Sequence, residues 1–166
     1  PDGAIEQILD HFGSENVAEI TGRSRRLVYG KDDNGNRKRK IEPRSPAKRK
    51  VEAKEFQDGK RKILIFSDAG GTGFSYHADK RAKNQTKRAH FLVQAGWKAD
   101  AAIQGFGRTH RSNQKQPPFY YLVETNIKGH RRFLSTIARR LAQLGALTSG
   151  ERKASGQGMF KESDNL

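Results

Sequence analysis

Three short, nearly uninterrupted apolar runs constrain this chain more than any other feature: Ile63 to Phe66, Ala89 to Gln94 and Phe119 to Val123. Runs this short and this apolar are what strands show when both faces of their sheet are covered. Between the last two, residues 97 to 106 (WKADAAIQGF) carry Trp97, Ala101, Ala102 and Phe106 at helical spacing. A longer amphipathic helix is predicted from about Gly129 to Leu144. It has Phe133, Ile137, Leu141 and Leu144 on one face and Arg131, Arg132, Arg139 and Arg140 largely elsewhere. Near the start, Ile5, Ile8, Leu9 and Phe12 fit a short helix ending near Gly13, and Val17 to Ile20 fits a short strand. Strand alternating with helix implies an α/β fold with a mainly parallel sheet flanked by helices.

A chain of 166 residues can bury one sizeable core. One domain over residues 1–148 is therefore expected, with a polar tail or linker over 149–166. Residues of about 30–61 read as a basic flexible insertion, because KDDNGNRKRK and PRSPAKRK combine Gly, Pro and charge with almost nothing apolar to bury. That stretch is either a floppy loop or an arm whose Lys38, Arg39 and Lys40 contact phosphates, or even a nuclear address. Beginning at Pro1 without an initiator methionine, the chain is expected to be a fragment or a processed product.

Thirty-three Lys and Arg against 18 Asp and Glu leave a formal charge of +15, which makes nucleic acid the first partner to consider. No apolar run is long enough to span a membrane or to form a signal-peptide core. With no cysteine, disulfides and cysteine-ligated zinc are excluded. The five histidines lack the spacing that places two ligands on one helix face, so no metal site is expected. The absence of export signals and cysteines suggests the cytoplasm, or the nucleus if the source is eukaryotic.

Ligands of open parallel sheets bind at the carboxyl ends of the strands, so the loops after the apolar runs are where function is sought. After Ile63 to Phe66 comes Ser67-Asp68-Ala69-Gly70-Gly71-Thr72-Gly73. Its glycines allow close backbone approach to a phosphate, and Ser67 and Thr72 supply hydroxyl donors. The second loop is Gln104-Gly105-Phe106-Gly107-Arg108-Thr109-His110-Arg111. Arg108 and Arg111, three apart, point the same way on a helical turn, and two such forks can embrace a triphosphate. Alone, the first reads more often as a plain strand-to-helix turn and the second more often as a solvated helix face. His77 and His110 read as hydrogen-bonding groups rather than general bases. Trp97 and the Phe119-Tyr120-Tyr121 run read as core rather than as a base-stacking platform.

Together the two loops resemble the fifth and sixth motifs of superfamily-two helicases, a serine- and glycine-rich loop followed by Gln-x-x-x-Arg-x-x-Arg. The stretch SDAGGTGFSYHADKRAKNQTKRAHFLVQAGWKADAAIQGFGRTHRSNQ is similar to the helicase C-terminal domain of the Strawberry notch family. KGHRRFLSTIARRLAQLGALTSGER and ENVAEITGRSRRLV extend the likeness, which covers most of residues 14 to 152 outside the basic stretch. The resemblance implies a RecA-like, P-loop-NTPase-type second lobe that completes an ATP site built mainly by an N-terminal lobe. By motif position Arg111 stands as the arginine finger with Arg108 as its companion, and Gln104 faces the cleft between lobes. Gly71, Gly73, Thr72 and Asp68 would line the nucleotide cleft, and Ser67 and Thr72 would meet nucleic acid, DNA ahead of RNA. The cofactor implied is ATP with magnesium, the metal held by the absent lobe, because this chain has no GxxxxGK[ST] loop and no adjacent Asp-Glu pair. It should therefore not hydrolyse ATP alone.

Two other readings remain at this point. A non-catalytic basic module would grip nucleic acid through charge alone. A Rossmann-type enzyme would need an acidic residue about 20 residues beyond the glycine loop, at the end of a following strand, where this chain has Ala95-Gly96-Trp97.

Overall fold

The computed structural model describes residues 2–68, 73–94 and 99–143. The chain divides at Thr86–Lys87 into two compact units, each with its own core.

In the first unit, helix α1 (Ala4–Phe12) leads through Gly13 into strand β1 (Val17–Ile20). β1 pairs in parallel with β4 (Ile63–Phe66), in register from Val17 opposite Ile63 to Ile20 opposite Phe66. A parallel pair cannot be closed by a tight turn and needs a crossover of a dozen or more residues. That crossover is the stretch read above as a flexible insertion. Instead of a loop it forms an antiparallel hairpin, β2 (Arg25–Lys31) with β3 (Arg37–Pro43), followed by helix α2 (Pro46–Gln57).

Local chemistry explains the hairpin. The Asp32 carboxylate accepts from the Asn34 and Asn36 N–H groups at 3.0 and 2.8 Å, and Gly35 takes the left-handed conformation (φ 81°) that the tight turn requires. The start of α2 is equally conventional: Ser45 accepts from Lys48 N at 3.1 Å and Pro46 fills the first turn. Ala53 and Phe56 of α2 pack on Ala18 and Ile20 of β1, with Tyr76 completing the cluster and Leu64, Phe66 and Phe74 at its edge.

A buried ion network fixes the rest of the crossover. Arg44, just after β3, holds the Glu52 carboxylate of α2 with both terminal nitrogens, at 2.5 and 2.7 Å, and donates to the Glu19 carbonyl of β1 at 2.5 Å. The Glu19 N–H donates to Glu52 at 2.9 Å. Arg26 of β2 binds Glu42 of β3 at 2.6 Å and lies 3.6 Å from Glu19, while Lys48 closes on Glu42. Glu19 also receives Arg23 at 3.0 Å and Thr21 at 2.6 Å, and Arg23 reaches on to Glu6 of α1. Burial alone would raise the Glu52 carboxyl. The Arg44 hydrogen bonds, the Glu19 N–H and the charges of Arg44 and Arg26 outweigh it and hold the group below its ordinary value.

The second unit repeats the strand–helix–strand pattern. Strand β5 (Ala89–Leu92) pairs in parallel with β6 (Phe119–Leu122), with helix α3 (Ala99–Phe106) between them and α4 (Lys128–Gln143) after. Phe106, Leu134 and Ile137 form its core, joined by Leu92, Tyr120, Leu122, Ala102, Ile103 and Phe133. Trp97, the Leu141 and Leu144 side chains and the 149–166 tail lie outside the described residues.

Candidate functional site

The glycine loop leaves β4 at its carboxyl end, as the strand pattern predicts. Ser67 N donates to the Ile20 carbonyl at 3.3 Å, which keeps the start of the loop beside the end of β1. Ser67 and Asp68 are exposed, while Gly71 and Thr72 lie outside the described residues. Gly73 has φ 85° with no atom within 4 Å of where a Cβ would stand, so backbone conformation rather than space demands glycine there. Beyond it, Phe74 and Tyr76 stack at 6.3 Å and Tyr76 is buried in the core, anchoring the loop's far end.

Because β1 and β4 are parallel neighbours, Thr21 and Arg23 emerge at the same sheet edge as Ser67. Both lie in the family-like stretch ENVAEITGRSRRLV, where motif spacing alone assigns them no role. Arg23 is committed to Glu19 and Glu6, so it braces this edge from within. His77 is buried, with Nε2 3.3 Å from Asp79. Asp79 is held well below the ordinary carboxylate range, first by the Arg81 side chain and then by the Arg81 N–H.

In the second unit α3 ends at Phe106, and Gln104 is exposed in its last turn. The helical path continues one turn further. Gly107 N donates to Ile103 O at 3.1 Å, Arg108 N to Gly105 O at 3.1 Å, and His110 N to Phe106 O at 3.2 Å. Arg108 and Arg111 are thus carried by one turn, Arg108 half-buried and Arg111 exposed. Arg111 Nε donates back to the Gly107 carbonyl at 2.9 Å, and its N–H donates to Gln114 Oε1 at 3.2 Å. The guanidinium sits where carbonyls at the end of a helix concentrate negative potential, which holds it near the turn. A Cβ on Gly107 would stand 3.3 Å from the Gln104 carbonyl, so the turn is tight.

The three basic residues proposed for nucleic acid do not form one patch. Successive residues of β3 face opposite sides. Arg39 is bound by Tyr29 at 2.9 Å and Asp2 at 2.6 Å, which raise its pKa, the Tyr29 hydrogen bond most. Arg37, on the same side, bridges Asp10 and lies 3.7 Å from the Tyr29 ring. Lys38 and Lys40 stand on the other side, the Lys40 stem crossing Gly30.

One expectation about the core is corrected. Phe119 and Tyr121 are 53% and 46% exposed and share an open face with Phe91 at 55%. Short apolar runs imply a parallel pair covered on both faces, but α3 and α4 cover only the face bearing His90, Leu92, Tyr120 and Leu122. The Phe91 and Tyr121 rings are 4.7 Å apart and nearly parallel, and Lys87 lies 3.4 Å above the Phe119 ring.

A family model described as the C-terminal domain on Strawberry notch homologue matches residues 3–166. The chain belongs to the Strawberry notch family of helicase C-terminal domains. Human protein strawberry notch homolog 1 is 43% identical over 157 residues, which is 93% of this chain and 11% of that protein. Protein FORGETTER 1 of Arabidopsis thaliana is 44% identical over 162 residues, 95% of this chain and 12% of that protein. Drosophila melanogaster protein strawberry notch is 41% identical over 157 residues, 93% of this chain and 10% of the fly protein. The chain therefore spans about one-ninth of the length of these relatives. Its parallel strand pairs and packed helices are the α/β, RecA-like fold of a Strawberry notch C-terminal domain.

Proposed function

We propose that this Strawberry notch domain is the second motor lobe of an ATP-dependent helicase or translocase acting on nucleic acid, with DNA ahead of RNA. The observation that carries the reading is the turn after α3, which carries both Arg108 and Arg111, with Gln104 in the helix just before it. Paired guanidinium groups suit the charge that spreads over phosphoryl oxygens during transfer. In this reading Arg111 stabilises that charge and Arg108 assists. Gly71, Gly73, Thr72 and Asp68 line the cleft, and Ser67 and Thr72 face nucleic acid together with Lys38 and Lys40.

The chain's own donor set fits a triphosphate but not its magnesium. It has neither a phosphate-cradling GxxxxGK[ST] loop nor an adjacent Asp-Glu pair, and among the described residues no His, Asp and Glu cluster is built for a metal. The N-terminal lobe of the parent protein is the proposed holder of both magnesium and the bulk of ATP. A basic module that binds nucleic acid without ATP is the alternative, favoured by the +15 charge alone.

ATPase activity of the parent protein, measured with and without single- and double-stranded DNA and RNA at fixed low salt, tests the proposal. One nucleic acid should stimulate turnover. Arg111→Ala should lower that turnover by about 10³-fold or more, the scale of an arginine finger, with binding to the same nucleic acid retained. Binding without any ATPase would instead establish the passive module.

A further inference from the structure

Buried behind the Arg108–Arg111 turn is a polar clamp that the proposed motor chemistry does not use. The Phe106 carbonyl at the end of α3 collects four donors: Thr109 N at 3.1 Å, His110 N at 3.2 Å, Thr109 Oγ1 at 3.1 Å and Tyr120 Oη at 3.3 Å. The Thr109 hydroxyl has a single proton and two acceptors in reach, the Phe106 carbonyl and His90 Nδ1 at 2.8 Å; with the proton on Phe106, the imidazole is the Nδ1–H tautomer and donates to Oγ1. The His90 ring packs against Phe106 at 4.8 Å and Tyr120 at 5.7 Å. Thr109 is thus tied to β5 on one side and to the last carbonyl of α3 on the other. Arg108 directly precedes it in sequence, and Arg111 follows two residues on.

We propose that His90 and Thr109 are positioning residues, which set the path of the turn that carries Arg108 and Arg111. The inference rests on the motor reading for its consequence and on geometry for its existence. An apolar pair would fill the same space without the cost of burying an imidazole and a hydroxyl. What the polar pair adds is direction. Thr109 Oγ1 meets both His90 and Phe106, so the arginines on either side leave the helix along one path. Phosphoryl transfer depends on that kind of placement, since a displacement of about 1 Å costs on the order of a hundredfold in rate.

Two pairs of variants in the parent protein separate positioning from packing. Thr109→Val keeps the shape and loses the hydroxyl, whereas Thr109→Ser keeps the hydroxyl. His90→Phe keeps the ring and loses the donor, whereas His90→Asn restores a donor at the Nδ1 position. In Thr109→Val and His90→Phe, kcat of the nucleic-acid-stimulated ATPase should fall by about ten- to a hundredfold with KM for ATP nearly unchanged. Thr109→Ser and His90→Asn should recover most of it. Amide hydrogen exchange at Thr109 and His110 should quicken about five- to tenfold in the first pair, the effect of one weakened hydrogen bond, and return in the second. Unchanged exchange in Thr109→Val overturns the clamp itself. Faster exchange with wild-type kcat overturns its role in positioning. A wild-type protein without ATPase overturns the motor reading and the clamp's catalytic consequence, and exchange still shows whether the clamp exists.

Discussion

The two parallel strand pairs are built alike and covered differently. All four residues of β1 are buried, and the side bearing Glu19 is closed by charge: Arg23, Arg26, Arg44, Glu42 and Glu52 converge around it. In β5 and β6 one side packs on α3 and α4, and the other leaves Phe91, Tyr121 and Phe119 in solvent. The first unit thus covers its pair with paired ions supplied by its own crossover, and the second relies on apolar packing over one face only. A buried network ties a polar sequence into a fold at the cost of desolvating every member. An apolar core is indifferent to pH and salt, unless a titratable group such as His90 is buried within it. The units should therefore fail under different stresses.

The largest effect is expected in the network. Glu52→Ala would leave the Arg44 guanidinium buried without its two-pronged partner, which should destabilise the first unit by about 3–5 kcal/mol. Urea unfolding followed through exchange of β1 and β4 amides measures it. Replacing both partners, Arg44→Met with Glu52→Leu, should cost far less, because no unpaired charge remains. Equal losses for the single and double changes would mean that packing around Glu52, rather than its charge, holds the crossover.

Acid sharpens the contrast. Burial pushes His90 down from 6.5 to about 4, so the folded second unit holds it neutral while the unfolded chain takes up a proton. A depressed folded pKa gives stability that is complete above about 6.5 and is lost as pH falls toward 4, at most about 3 kcal/mol in all. Glu19, Glu42 and Glu52 are held below their ordinary 4.5 by hydrogen bonds and charges that outweigh desolvation. Their contribution is complete above 4.5 and declines only below it. Between pH 6.5 and 4.5, β5 and β6 amides should lose protection while those of β1 and β4 keep theirs. His90→Asn should abolish that loss; loss of protection in both units together would remove the distinction.

The apolar pattern made the second unit legible: β5, β6, α3 and α4 fall where it put them, within a few residues. The crossover escaped because its stabilising groups are Arg, Lys and Glu, which in sequence look like a solvated run whether or not they pair. Two signals were present nonetheless. Asp32-Asp33-Asn34-Gly35 is a hairpin turn, and parallel strands at Val17 and Ile63 require a structured connection between them. At the site, motif spacing put Arg108 and Arg111 on one turn, with Gln104 in the helix just before it. It did not reveal the clamp behind them, because His90 and Tyr120 reach Thr109 only once β5 and β6 pair.

The smallest effect belongs to the open face. Tyr121 is nearly half exposed and its ring is stacked on Phe91, so Tyr121→Ala should cost only about 1 kcal/mol, mainly the stacking term. Leu134→Ala, in the core on the other side of the same sheet, should cost about 2–5 kcal/mol. The Phe91 and Tyr121 rings stack on each other, 4.7 Å apart and nearly parallel, so each already has one face taken. Tyr121→Ala should therefore also leave affinity for single-stranded nucleic acid unchanged within about twofold, well inside the 1–3 kcal/mol of a true stacking contact. A tenfold loss of affinity with stability intact would mean that these rings receive bases, and the open face would then join the nucleic-acid path.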